Sequence, residues 1–227
     1  MVPNGPWGVW WGTNEGSVTR CYSAGMVSGS VSVGGLAGYN DWGGMGEVSH
    51  CYSTNRVDGN DCVGGHGGTN VGTVIDCYAK ASVFGNSGVG GLVGTNDLDF
   101  GIMGDPVPGC VVRCYSTGLV TGKVDVGGLV GQNCCAEVGQ RSTWIVCAEV
   151  AASFWDIQTS GQTTSAGGIG KTTAEMQAAS AFPGWDGCGW TIDEGKDYPH
   201  LAWENMPGDV VGPTYGGGMG TAEDPYV

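Results

Sequence analysis

The chain has 227 residues, 46 of them glycine, and carries 22 acidic against 8 basic side chains, a net charge of −14. Glycine does not recur at every third position, which excludes collagen, and the acidic surplus excludes nucleic acid and anionic membranes as natural partners, since both require a basic face. No apolar run approaches the ~20 residues that span a bilayer.

Met1 to Asn4 lacks the charged and apolar regions of a signal peptide. If the protein is secreted, the chain is therefore expected to be a mature form or a fragment. Trp7 to Asn14 aligns with Val33 to Asn40, Gly12 falling on Gly38 and Asn14 on Asn40. The chain is thus expected to begin part-way round a turn.

From Cys21 a block of twenty residues recurs without insertion or deletion at Cys21–Asn40, Cys51–Asn70, Cys77–Asn96 and Cys114–Asn133. Within it Cys21, Ser23, Gly25, Val27 and Gly29 stand at positions that stay small or apolar in every copy but for Asn55, while most of the alternate positions vary. A period of two with one constant face describes a strand buried on one side. Val33 to Ala37 supplies a second strand, and Gly16-x-Val18 and its equivalents a third, so two or three short strands are expected per turn. A unit this small cannot bury its own core, so successive units must stack strand on strand. The sequence therefore predicts an all-β parallel β-solenoid of about five short coils.

Two columns of identical residues follow from that stacking. Cys21, Cys51, Cys77 and Cys114 share one position, where buried free thiols fit better than disulfides, because stacked side chains point the same way. Asn14, Asn40, Asn70, Asn96 and Asn133 share a corner, where they either form a hydrogen-bonded ladder or adopt a left-handed turn conformation. The other six cysteines, Cys62, Cys110, Cys134, Cys135, Cys147 and Cys188, are the candidates for cross-linking. Closure of Cys134 or Cys135 with Cys147 is the nearest pairing.

Insertions avoid the block. The step from corner Asn to the next Cys position is 7 residues at Asn14, 11 at Asn40, 7 at Asn70, 18 at Asn96 and 20 from Asn133 to Ser153. All extra residues therefore leave one corner, carrying Trp42, Phe100 and Trp144 with the acidic Asp41, Asp97, Asp99 and Asp105. Aromatic residues on loops beside a rigid scaffold are the material of a partner-binding surface; the alternative is that they fold down over the flank. No cofactor is expected, weak Ca²⁺ binding by these carboxylates being the one metal reading left open.

Residues 1–153 are thus read as solenoid, 154–205 as a small mixed C-terminal cap, and 206–227 as an extended or flexible tail. Thr172 and Glu175 have capping-box spacing and predict a helix start. Upstream, Gly167 to Thr173 superficially resembles a phosphate-binding loop, but Ser165 stands where its first glycine belongs and no apolar strand precedes it. Of the three histidines, His50 takes a variable position expected to be solvated, His66 replaces a core leucine, and no spacing suits a structural zinc site.

The pattern Gly-x-Val-x-x-Cys-Tyr-Ser-x-Gly-x-Val-x-Gly followed by Val-Gly-Gly-Leu-Val-Gly-x-Asn resembles the GLUG repeat. Its core stands here as Gly91-Leu92-Val93-Gly94 and Gly128-Leu129-Val130-Gly131, and the copy with His66 and Gly67 departs from it. The resemblance covers about residues 7–156, and the segment from Phe154 to Pro199 is similar to the unit that often follows such repeats. It implies a bacterial or archaeal cell-surface, adhesin-like protein with no catalytic residue in the repeat. Two non-enzymatic functions are consistent with this. The favoured one is a structural and adhesive protein that assembles end to end through its solenoid ends and tail into a fibre or layer. The other is a monomeric adhesion module that binds a glycan or host protein through the loop corner.

Overall fold

The computed structural model describes residues 12–40, 45–100, 106–138 and 144–205. The chain winds as a parallel β-solenoid in which five columns of short strands run the length of the stack. The asparagine column comprises Thr13–Asn14, Ala37–Asn40, Gly67–Asn70, Val93–Asn96 and Val130–Asn133. After it come Ser17–Thr19 and its four equivalents, then the tyrosine column from Tyr22–Ser23 onward. Met26–Ser28 and Val31–Gly34 begin the last two, each four strands deep.

Each coil thus holds five short strands rather than two or three. The extra breaks fall at residues that carry no turn signature. Arg20, His50, Asp76, Arg113 and Ala152, one place before each Cys position, all take positive φ between 46° and 52°. A second left-handed position recurs at Ser32, Cys62, Gly88 and Asp125. Left-handed non-glycine residues are uncommon and costly singly, so stacking in register must hold them there.

Registration is residue on residue. Asn40 pairs with Asn70, Asn70 with Asn96 and Asn96 with Asn133, just as Thr13–Asn14 pairs with Tyr39–Asn40. Valines 18, 48, 74, 111 and 150 stack in the next column. The predicted interior face is observed: Cys51, Val57, Val63, Cys77, Val83, Leu92, Cys114 and Leu129 are fully buried in one core. The serines among them are satisfied, Ser53 and Ser116 each donating at 2.7 Å to the carbonyls of Gly65 and Gly128. The second glycine of the first three Val-Gly-Gly copies lies where coils touch backbone to backbone, and that of the fourth, Gly128, lies under the Trp155 ring. A Cβ on Gly35, Gly65 or Gly91 would stand 2.1–2.3 Å from the carbonyl oxygen of the glycine one coil on.

The C-terminal end is closed. Trp155, 6% exposed, lies against Gly128 and donates its indole N–H to Gln162. Residues 162–166 then cross the end of the stack as a strap. Gly128 N–H and Ala166 N–H bond to Thr164 and Val130 carbonyls, the Ser165 hydroxyl accepts from Leu129 and Val130, and the Gln162 amide donates to Val120. Phe154–Asp156 and Ile169–Lys171 extend the tyrosine column past residue 153. The capping box forms as expected at Thr172 and Glu175, opening a helix of four residues, Thr173–Met176.

The remainder of the C-terminal region lies along the flank, over the tyrosine column. Tyr22, Tyr52, Tyr78 and Tyr115 stack with ring centroids 5.0–5.2 Å apart. Against them pack Met176, Phe182, Trp185 and Leu201, a second core that buries Tyr78 and Tyr115. Tyr115 donates to the Pro199 carbonyl, Tyr78 to Glu204 at 2.9 Å, and Trp203 to the His50 carbonyl. An outward row occupied by tyrosine in all four blocks was the available signal for this docking face, because a solvated strand face has no need of a repeated aromatic.

Candidate functional site

The asparagines form the ladder: Nδ2 of Asn14, Asn40, Asn70 and Asn96 donates to Oδ1 of the next in line at 2.8, 2.8, 2.7 and 2.9 Å. None takes positive φ. Asn70 and Asn96 are fully buried and also donate to backbone carbonyls, Gly72 and Gly109 among them. This ladder fixes the corner from which the insertions leave.

There the two longest insertions become antiparallel hairpins. One pairs Leu98–Phe100 with Pro106–Pro108, the other Cys135–Val138 with Trp144–Cys147, and their strands are neighbours in space. Both are rooted in the solenoid's own hydrogen bonding. Asp97 N–H donates to Asn70, Gly109 N–H to Asp97, Cys134 N–H to Asn96 and Ala148 N–H to Cys134. The Cys135–Cys147 disulfide closes the base of the second hairpin.

Leu98 folds down and is buried, whereas Phe100, Val107 and Ile145 remain 57%, 39% and 68% exposed. Asp97 turns inward, its carboxylate accepting from Leu98 N–H, and Asp99 is half-buried. The expectations for Trp42, Asp41 and Asp105 lie outside the described residues, as does that for the Trp144 side chain. Val107 and Ile145 had not been singled out, since an aliphatic residue in an insertion carries no motif.

Of the six candidate cysteines Cys135 and Cys147 are joined, one of the two closures expected with Cys147, and Cys62, Cys110, Cys134 and Cys188 are free thiols. Cys134 adjoins the disulfide as a free thiol. Burial, reinforced by Asp97, pushes its thiol up to about 12, so the attacking thiolate is scarce. In the cysteine column Cys51, Cys77 and Cys114 are buried and Cys21 is its exposed end. Each sulfur donates to the carbonyl two residues earlier, and Ser153 takes the fifth place, accepting from Cys114 N–H at 3.0 Å. Among the described residues no three acidic, thiol or imidazole groups converge as metal ligands.

His50 is not simply solvated. It belongs to a row of Arg20, His50, Asp76 and Arg113 partly covered by the C-terminal region. Asp76, with its side chain 3% exposed, accepts two bonds of 2.8 Å from Arg113 and one of 3.0 Å from Trp190, and lies 3.9 Å from His50. Asp156, fully buried, likewise pins the region by accepting from Thr173 and Tyr198. Burial raises its carboxyl, but these bonds and two from backbone N–H groups outweigh that and hold it below its ordinary range.

His66 occupies the row of Leu36, Leu92 and Leu129, 1% exposed, and neither ring nitrogen meets a partner among the described residues. Burial lowers its pKa from 6.5 to about 4. The folded imidazole stays neutral while the unfolded one takes a proton, so stability is complete above pH 6.5 and is lost as pH falls toward 4. That loss amounts to about 3 kcal/mol. His66→Leu is expected to raise the melting temperature and flatten this acid limb. Thermal denaturation of both proteins between pH 7 and pH 4 checks it, and parallel curves would contradict it.

These features define a parallel β-solenoid with a strapped end and a lateral aromatic cap. Within it residues 29–58 match the model of the GLUG motif. The crystal structure of a Bacteroides ovatus protein proposed to be an immunoglobulin A1 protease has the same fold. It aligns with a TM-score of 0.61 at 20% identity over 88% of this chain and 73% of that one. The comparison with curated proteins finds no match.

Proposed function

We propose that this chain is a non-enzymatic, extracellular recognition scaffold that presents its two corner hairpins to a protein partner. The observation that carries this reading is their placement. The two longest insertions rise side by side from one corner of a rigid stack, one closed by a disulfide, with Phe100, Val107 and Ile145 turned outward. Such preorganised apolar anchors bind without a large ordering cost. Aliphatic Val107 and Ile145 suit a protein surface better than a sugar ring, and the charge of −14 favours a partner with a basic rim.

End-to-end assembly is the weaker reading. It requires an open template at both ends, and the strap at residues 162–166 already occupies the edge on which another coil would form.

The test uses immobilised fibronectin, collagen and mucin, with wild type and the double variant Phe100→Ser/Ile145→Ser. Saturable binding to at least one surface, weakened about tenfold or more by the double variant, is expected. Binding indifferent to both substitutions, or absent from all three surfaces, would sink the proposal.

A further inference from the structure

A second recognition element lies in the flank cap, away from the hairpins. Phe182, Trp185, Trp190, Ile192 and Pro199 wall a cavity of about 120 Å³, with the exposed Asp186 at its rim. That is well below the roughly 300 Å³ at which drug-sized pockets begin, so its occupant is a single head group or side chain.

The walls are aromatic and tilted toward one another. Trp185 lies 4.7 Å from Phe182 at 48° and 4.5 Å from Trp190 at 38°. Both indole N–H groups point away into the protein, to the Ala152 carbonyl and to Asp76. What remains for a ligand is ring surface, chiefly that of the half-buried Trp190, since Phe182 and Trp185 are 5% and 3% exposed, and such surface attracts cations.

The rest of this aromatic block already holds ammonium groups. Lys80 Nζ stands 5.4 Å from the Tyr78 ring and 5.8 Å from that of Tyr198, and Lys171 Nζ is 5.1 Å from Phe154. The Trp185–Trp190 cavity has the same ring chemistry and a carboxylate besides, yet among the described residues no lysine or arginine lines it. Residues 206–227 contain neither.

We infer that this cavity binds a quaternary ammonium group of the choline type. A compact cation whose charge is spread over methyl groups fits an aromatic wall with one acidic rim residue, and is shed from water more readily than a primary ammonium.

Tryptophan fluorescence titration with choline and with its neutral isostere 3,3-dimethyl-1-butanol tests the proposal. Choline is expected to bind saturably and about tenfold tighter than the isostere. Asp186→Asn should weaken choline about threefold and leave the isostere unchanged, and Thr191→Trp, at the exposed mouth, should abolish both. Equal affinity for the two probes, or absence of saturation with choline, would overturn it. Phosphocholine-coated beads and phosphatidylcholine vesicles, run side by side, identify the carrier of the group. Failure of both to retain the protein also counts against the proposal.

Discussion

Replacing Gly91 by alanine is expected to destabilise the protein by more than about 4 kcal/mol, or to prevent folding. The added Cβ would lie 2.1 Å from the Gly128 carbonyl oxygen and 2.9 Å from Ser116 Oγ. Neither obstacle can yield cheaply. The carbonyl belongs to the next coil, and Ser116 is itself held by its bond to that same carbonyl. Moving the coil aside would break the Leu92–Leu129 and Asn96–Asn133 registers with it. Gly16→Ala is the matched control: no atom lies within 4 Å of its Cβ position and its φ is not left-handed, so a change within about 0.5 kcal/mol is expected. Urea titration of the two variants distinguishes a steric requirement from a general intolerance of glycine replacement, and similar losses in both would refute the close-approach argument.

Arg113→Ala is expected to cost about 3–5 kcal/mol and to loosen the flank cap. Among the described residues it leaves Asp76, its side chain 3% exposed, with the Trp190 indole as its close donor and His50 3.9 Å away. The charge is then buried without its partner, which is the expensive way to break such a pair. Removing both members, as in Asp76→Leu/Arg113→Met, should cost far less, because no orphaned charge remains. The readout specific to this account is spectroscopic. Trp185 and Trp190 are packed on Tyr115, so Arg113→Ala should red-shift tryptophan emission before the solenoid itself unfolds. A single transition at an unchanged midpoint would show that the ion pair does not secure the cap.

Much of this architecture is legible in the chain because its repeats leave little freedom. A block of fixed length places Cys on Cys and Asn on Asn, and the alternate-residue pattern then says which side is inside. The capping box at Thr172 is similarly local, as is the restriction of insertions to one corner. What escapes sequence reading is set by contacts between distant residues. Arg20, Arg113 and Ala152 have no intrinsic preference for positive φ, and at a position that varies from Arg to His, Asp and Ala it is the stacked coils that hold the turn, so the sequence shows two or three strands per coil where there are five. Tyr78 meets Glu204 across 126 positions, and no periodicity links the repeats to the irregular segment that covers them. Among the candidate cysteines, Cys135 and Cys147 are distinguished by facing each other in a hairpin, which composition cannot reveal.

The stack also explains why a change such as His66 is tolerated. At neutral pH the uncharged ring costs the desolvation of its two unpartnered nitrogens, and in acid the loss of the proton that the unfolded chain would bind adds to that cost. Insertions are free to vary at the corner because each hairpin adds to the coil without interrupting the columns.

The strap at residues 162–166 is expected to keep the solenoid from extending coil on coil, leaving the corner hairpins as the proposed recognition surface. Electron microscopy of purified protein, with sedimentation across a wide concentration range, tests it most directly. Dispersed compact particles with the mass of one 23.1 kDa chain are predicted at every concentration. Regular filaments growing along the solenoid axis would contradict it, because they would require the strapped end to accept another coil.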